Sequence, residues 1–521
     1  MSYEKYYPLI EKANKKYFSF LEKVKNLKDF QEKDNAIKSL LEFAVYHNIG
    51  VWSSSFIENF YTDYAKSIDI HNYDVNFRKN SFLHVITTGF ATGGHTRVVE
   101  RWIRNAPEIQ THSVVFLSPN NEKMSAIENN VKFKKGECIY FSNSLSEKEK
   151  ALKLRELALS YEFIVLHTHM EDTIPLTAFG TEKFKRPVLL YNHASLMFWL
   201  GKSIADLVLD IVNNDEITSE KRNIKNSFFI GVPSKEVIYS YSNKKELRKK
   251  LGLRTDKKII ISSGSLQKFC VIGNDSYADT IKQLIDDDTY CYIIGIPKDN
   301  KYWKKIEKDT DGHIVPLGYI NFNDGYMDYL SCADLYIDSY PMTGGAAMID
   351  AVSRGVPCLS IKTVDVQMDY FSSSNAYCKT KDEFILKAKK ILKDRIYAKS
   401  IVKELQNSLE EYQAVTSWNK RIFKMLEQVP EVHGVKNLSN ENDIVKVDDL
   451  AVLLNIMTDK NAVNHKSVLK KIIRQNFRDF IKYGINYQSC GVPFIFEFLK
   501  FKKGNKITKV IKVLGLNLFV N

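Results

Sequence analysis

Cysteine offers this chain little: seven residues in 521, at 138, 270, 291, 332, 358, 378 and 490, with no CxxC pair and an odd total. That spacing indicates neither a disulfide framework nor a zinc site, and it fits a reducing compartment. Proline (12) and glycine (23) are too sparse for collagen-like or low-complexity sequence. No apolar run approaches the roughly 18–20 residues of a membrane span. The N-terminus, MSYEKYYPLIEKANKKYF, lacks the basic and apolar regions of a signal peptide, so a cytoplasmic protein is the expectation. Acidic residues are outnumbered, 62 against 75 Lys and Arg, and the net charge of +13 favours an anionic partner: nucleic acid, anionic lipid or a phosphorylated ligand. No repeat with a period of 20–50 residues is visible, which excludes a solenoid.

What is present is core material for two or three domains: 44% apolar residues, with 28 Tyr and 30 Phe. Residues 1–75 read as a helical N-terminal segment, with Tyr7, Leu9, Ile10, Tyr17, Phe18 and Leu21 at three-to-four spacing. At Ser81 the pattern changes. SFLHVITTGFATGGHTRVVERWI runs from an apolar strand (82–87) through a glycine-rich loop into an amphipathic helix. Apolar runs at 112–118, 161–169 and 187–194 alternate with helical stretches, which predicts a parallel sheet with helices on its faces over 76–230. A second alternation, with strands at 257–269, 289–297, 313–320, 333–340 and 356–361, predicts another over 231–428, its last part, 381–428, helical. Residues 429–446 read as a linker, and 429–521 as linker plus a basic helical C-terminal segment.

Two such domains present the carboxyl ends of two parallel sheets, where ligands bind in open α/β folds. The most informative stretch begins at Asp338, where a strand ends. Thr343, Gly344, Gly345, Ala346 and Ala347 then open a helix whose free N–H groups and positive dipole end suit a phosphate. Asp350 lies further along it, where a carboxylate can accept hydrogen bonds from ribose hydroxyls. In SSGSLQKFC (262–270) a strand runs into a small-residue turn followed by Gln267 and Lys268. A lysine there is a compact cation that can offset the charge of a phosphorylated ligand. The stretch 313–319, with His313, Gly318 and Tyr319, reads as a strand and the loop after it.

On the first domain Gly93 and Gly94 permit close approach at a helix start, and His95 is a candidate for diphosphate contact or removal of an acceptor proton. His167, His169, Glu171 and Asp172 cluster at another strand end. Alternation puts His167 and His169 on one face, but an acid/base role for His169 is preferred to a metal site. His193, after the next strand, is a further candidate, with a buried structural histidine as the alternative. Asp286, Asp287 and Asp288 imitate a metal-binding DxD but read as a loop after a helix. Lys500, Lys502, Lys503, Lys506, Lys509 and Lys512, interspersed with apolar residues, suggest peripheral contact with an anionic membrane or a solvated helix face.

The phrase CADLYIDSYPMTGGAAMIDAVSRGVPCLSI (332–361) resembles the nucleotide-sugar site of glycosyltransferases with the two-Rossmann, or GT-B, architecture, and the resemblance spans roughly 80–425. The pair of Glu seven residues apart found in many retaining members is missing. The segment is closer to inverting protein O-linked N-acetylglucosamine transferases and bacterial cytoplasmic N-glycosyltransferases, although their Thr triplet is replaced here by Ala346, Ala347 and Met348. The resemblance implies two Rossmann-like domains facing a cleft, with helical extensions at both ends. It implies metal-independent transfer of a sugar from a nucleoside diphosphate, first of all a UDP-sugar, to a protein, polysaccharide or lipid-linked glycan acceptor. His95, His169 and His193 are then the catalytic candidates. Gly93, Gly94, Gln267, Lys268, Gly318, Tyr319, the 343–347 turn and Asp350 are the donor-binding ones. An epimerase would need acid/base carboxylates that the sequence does not offer. A polyanion-binding protein would leave the paired α/β units unexplained, so no nucleic-acid partner is expected. A catalytically degenerate scaffold and self-association through the helical ends stay open.

Overall fold

The computed structural model describes residues 3–46, 48–68, 76–90, 94–212, 215–233, 243–269, 271, 276–321, 324–343, 345–362, 371, 375–432, 444–445, 447–460, 510–513 and 516–519. The chain divides into two compact units. One comprises 1–57, 197–199 and 443–521, and the other 58–196 and 200–442.

The smaller unit joins the two ends of the chain. Helices Tyr7–Lys25 and Phe30–Tyr46 lead to strand β1 (Val51–Ser53), and helix Asp449–Lys460 packs with the first of them. Tyr7 Oη donates to Asp449 Oδ1 at 2.7 Å, and Asn455 Nδ2 donates to the Asn48 carbonyl at 2.9 Å. These contacts span about four hundred residues of sequence, beyond the reach of any local pattern.

In the larger unit, strands β2 (Arg78–Ile86), β3 (Thr111–Phe116), β4 (Cys138–Tyr140), β5 (Tyr161–His167), β6 (Val188–Tyr191), β7 (Leu207–Asp210) and β8 (Ser227–Phe229) form a parallel sheet in the order β4-β3-β2-β5-β6-β7-β8. A second parallel sheet, β11-β10-β9-β12-β13-β14, contains β9 (Lys258–Ser263), β10 (Thr289–Ile294), β11 (Ile314–Gly318), β12 (Leu335–Ile337), β13 (Cys358–Ile361) and β14 (Tyr377–Cys378). This is the expected pair of Rossmann-like sheets. Successive residues of the central strands are buried, so both faces are covered and the strands read as continuous apolar runs such as Ile259–Ile261. Some helix N-termini are capped by side chains: Ser146 and Glu149 form a reciprocal capping box, and Asp394 accepts from Ile396 and Tyr397 N–H.

The helix Val415–Val432, which sequence groups with the second domain, lays Trp418 edge-on against Trp102 of the first at 5.3 Å. Asn419 Nδ2 donates to the Asn105 carbonyl and Arg421 Nε to that of Ile230. Beyond β15 (Ile444–Val445), antiparallel to β1, the C-terminal extension is helical over Asp449–Lys460. Near its end the expected helix gives way to a hairpin of β16 (Val510–Val513) and β17 (Leu516–Phe519), where β-branched Val510, Ile511 and Val513 favour extended backbone. Of the six lysines of that tail, only Lys512 falls within the described residues. Among the described residues no helix is long and apolar enough to cross a membrane.

Candidate functional site

At the carboxyl edge of the second sheet, glycines let three loops converge. Gly295 (φ +96°) would place a Cβ 2.3 Å from the Gly264 carbonyl oxygen, and its N–H donates to the Gly318 carbonyl at 2.8 Å. Gly318 is buried, whereas Tyr319 projects, 78% exposed. After β9 the chain makes a 3-10 turn, Leu266–Phe269, that leaves Gln267 exposed and sends Lys268 Nζ to the Thr343 carbonyl at 3.0 Å. Burial lowers the Lys268 pKa, with Asp338 acting against it. Lys268 and the turn that opens at Thr343 are therefore in direct contact.

Thr343 is buried, and its Oγ1 has no hydrogen-bond partner among the described residues. A buried hydroxyl left unmatched is costly, which points to a ligand that matches it. Gly344 lies outside the described residues. Gly345 (φ +66°, ψ −118°) holds a backbone that side chains disfavour, directly before helix Ala346–Ser353. Ala346 is exposed and Ala347 half-buried, so among the described residues nothing bulky covers that helix end. Asp350 faces the first domain: burial lowers the Arg101 pKa, and the Asp350 carboxylate is the largest charge opposing that shift. Tyr326 is pushed above its ordinary range first by burial, then by Asp350.

On the first domain Gly93 falls outside the described residues. Gly94 opens helix Gly94–Asn105 as an exposed residue whose added Cβ would meet nothing within 4 Å. The three candidate histidines come together at the carboxyl edge of the first sheet. His95 stacks on His193 with ring centroids 4.1 Å apart, and His169 lies 6.4 Å from His95. Thr87 Oγ1 donates to Asp172 and accepts from His169 N–H at 2.9 Å, which ties this edge together. Desolvation pushes Asp172 up to about 6 and His95 down to about 4. His193 is lowered as well, by desolvation and then by its interaction with His95.

His313 lies at the start of the expected strand: it precedes β11, its Nδ1 pairs with the Thr289 carbonyl at 3.0 Å, and it stacks on Tyr290 at the end of the sheet opposite the loop with Gly318 and Tyr319. One reading is corrected by geometry. His167 does not share an open face with His169 but is buried, bonded to His84 and His193. Asp286 and Asp288 are turn residues, holding Thr289 Oγ1 and Lys257 respectively. Among the described residues no group of His, Cys, Asp or Glu has the arrangement of a metal site. Sequence reading missed Arg97 and Arg101, one turn apart on the helix that starts at Gly94, and the buried His84 and His112. A histidine inside otherwise apolar strand segments (82–86, 111–116) was the available signal.

No family model matches the chain, and no curated protein matches it by sequence. Solved structures match it in fold. HepE from Anabaena, crystallised in complex with UDP and glucose, is 14% identical, with a TM-score of 0.52, over 67% of this chain and 99% of its own. A glycosyltransferase from Rickettsia africae is 12% identical, with a TM-score of 0.51, over 70% and 100%. A mutant of the O-GlcNAc transferase of Thermobaculum terrenum is 10% identical, with a TM-score of 0.50, over 82% and 83%. The chain has the two-Rossmann, GT-B fold of these structures.

Proposed function

We propose that this chain is a glycosyltransferase that moves a sugar from a nucleoside diphosphate, a UDP-sugar by preference, to a hydroxyl or amide of a protein or glycan acceptor. The observation that carries the reading is the cradle at the second sheet: Lys268 on the Thr343 carbonyl, the Thr343 hydroxyl unmatched among the described residues, and the start of helix Ala346–Ser353, which has no side-chain cap and an exposed Ala346. A diphosphate supplies what all three lack, a compact anion with several acceptor oxygens. HepE, of the same fold, binds UDP, which supports uracil as the base.

As the bond from the anomeric carbon to the diphosphate breaks, its electron pair leaves with the diphosphate. Lys268 and the helix N–H groups offset that growing charge. Arg97 and Arg101 add positive charge from the first domain, and Asp350 is assigned to the ribose hydroxyls. Gly318 and Tyr319 border the same edge and are assigned to the base, Gln267 to the diphosphate rim. The acceptor proton passes to the His95, His169 and His193 group. Desolvation makes His95 and His193 weak bases in the free protein, but a bound diphosphate raises a neighbouring imidazole's pKa, which couples proton acceptance to donor binding.

Screening UDP-, GDP-, dTDP- and CMP-sugars for donor hydrolysis and thermal stabilisation tests the reading. Stabilisation by one nucleotide class, lost in Lys268→Ala and Asp350→Ala, is expected. A folded protein that binds no donor would overturn it in favour of a scaffold.

A further inference from the structure

Four imidazoles cross the first sheet as one hydrogen-bonded line. Gln110 Oε1 lies 3.3 Å from His112 Nε2, and His112 Nδ1 lies 2.9 Å from His84 Nε2. His84 Nδ1 lies 3.0 Å from His167 Nε2, and His167 Nδ1 lies 2.9 Å from His193 Nε2. Strand register builds the line. His112 pairs with Phe82, two residues before His84, and His84 pairs with Val165, two before His167. Leu166 pairs with Leu190, so the same offset leads to His193. Each step moves one strand across and two residues toward the carboxyl edge. Ring centroids are 5.2 Å apart at all three steps, close to the roughly 4.8 Å between strands.

A neutral imidazole has one N–H and one lone pair, so each ring's tautomer dictates its neighbour's. Desolvation lowers the pKa of all four, which keeps them neutral near neutral pH. The Gln110 carbonyl oxygen only accepts, which requires the hydrogen on His112 Nε2. His112 Nδ1 then accepts from His84 Nε2–H, His84 Nδ1 from His167 Nε2–H, and His167 Nδ1 from His193 Nε2–H. The lone pair of His193 is left on Nδ1, at the edge where His95 stacks. Rotating the Gln110 amide by half a turn would present a donor and reverse every tautomer, leaving His193 with an Nδ1–H unable to take a proton.

We propose that Gln110, His112, His84 and His167 are positioning residues that hold His193 in its Nε2–H tautomer and so make His193 Nδ1 the proton acceptor of the transfer. The proposal rests on the glycosyltransferase reading above. In the step, the acceptor's O–H or N–H bond breaks, the acceptor atom's electron pair forms the new bond to the anomeric carbon, and the proton goes to His193 Nδ1. The imidazolium keeps its Nε2–H on His167, and the diphosphate departs with the electrons of the old bond.

The test is nuclear magnetic resonance of isotope-labelled histidine ring nitrogens in the full-length protein, assigned with single His→Asn variants, alongside donor kinetics. The expected wild-type spectrum has His193 protonated at Nε2 and bare at Nδ1. Gln110→Met should introduce the second tautomer at His193 and lower kcat on the order of tenfold with donor KM unchanged. Gln110→Glu, which retains the acceptor, should restore both. A wild-type Nδ1–H tautomer at His193, or a Gln110→Met variant with unaltered tautomer and kcat and only a lower melting temperature, would overturn the proposal. A Gln110-dependent tautomer in a protein that turns over no nucleotide-sugar would overturn the catalytic role through the reading it rests on, and is told apart by the intact spectrum.

Discussion

Mild acid should weaken this protein steeply. His84, His95, His112, His167 and His193 all have pKa values pushed below the ordinary 6.5 by desolvation, to about 3 for His84 and about 4 for His95. For such groups the unfolded chain binds protons that the folded chain refuses, so their stabilisation is present above pH 6.5 and is lost as pH falls toward 4 and 3. Between pH 7 and about 5.5, linkage gives roughly 1.3 kcal/mol per imidazole, and about 5–6 kcal/mol for five once the half-buried His95 and His193 are discounted. Asp172, raised to about 6, gains a proton in the folded state and returns about 0.8 kcal/mol. The buried carboxyls Glu58 and Asp210 are also raised and act in the same direction as Asp172. The net loss is a large part of the ~5–15 kcal/mol that holds a typical domain together. Urea denaturation of the wild type and of His112→Asn at the two pH values measures it, and the comparison cancels the carboxyl terms. The variant should lose roughly 1.3 kcal/mol less than the wild type on acidification. A variant that loses as much stability as the wild type between the two pH values would mean that His112 is charged in the fold, which refutes the neutral chain.

Thr343→Val removes the unmatched buried hydroxyl while preserving shape, so the free protein should be unchanged or up to about 1 kcal/mol more stable in denaturant titration while UDP binding weakens. Gly295→Ala forces a Cβ against the Gly264 carbonyl at positive φ and should cost roughly 2–4 kcal/mol by urea denaturation. Asp350→Ala should abolish the preference of the protein for UDP over its dideoxyribose analogue, a preference of about tenfold or more in the wild type by competition binding.

The central strands were legible because burial on both faces leaves a local mark, as in Ile259–Ile261 or Ile164–Leu166. Cys138–Tyr140, Ser227–Phe229 and Tyr377–Cys378 were not, since two or three residues at a sheet edge carry no periodicity. The union of the chain ends through Tyr7 and Asp449 is a non-local contact that no window of sequence contains. The turn at Thr343–Ala347 stood out because small residues at a helix start after a buried strand are a compact signal. The line from His112 to His193 stayed hidden, because a histidine in a strand is a signal for that strand alone and only the inter-strand register joins the four.

Calorimetric titration of UDP into the wild-type protein and into Lys268→Ala tests the central claim most directly. The account predicts saturable binding to the wild type and a loss of about tenfold or more in affinity for the variant, with its fold retained by circular dichroism. Equal binding by both proteins, or no binding by a folded wild type, would contradict it.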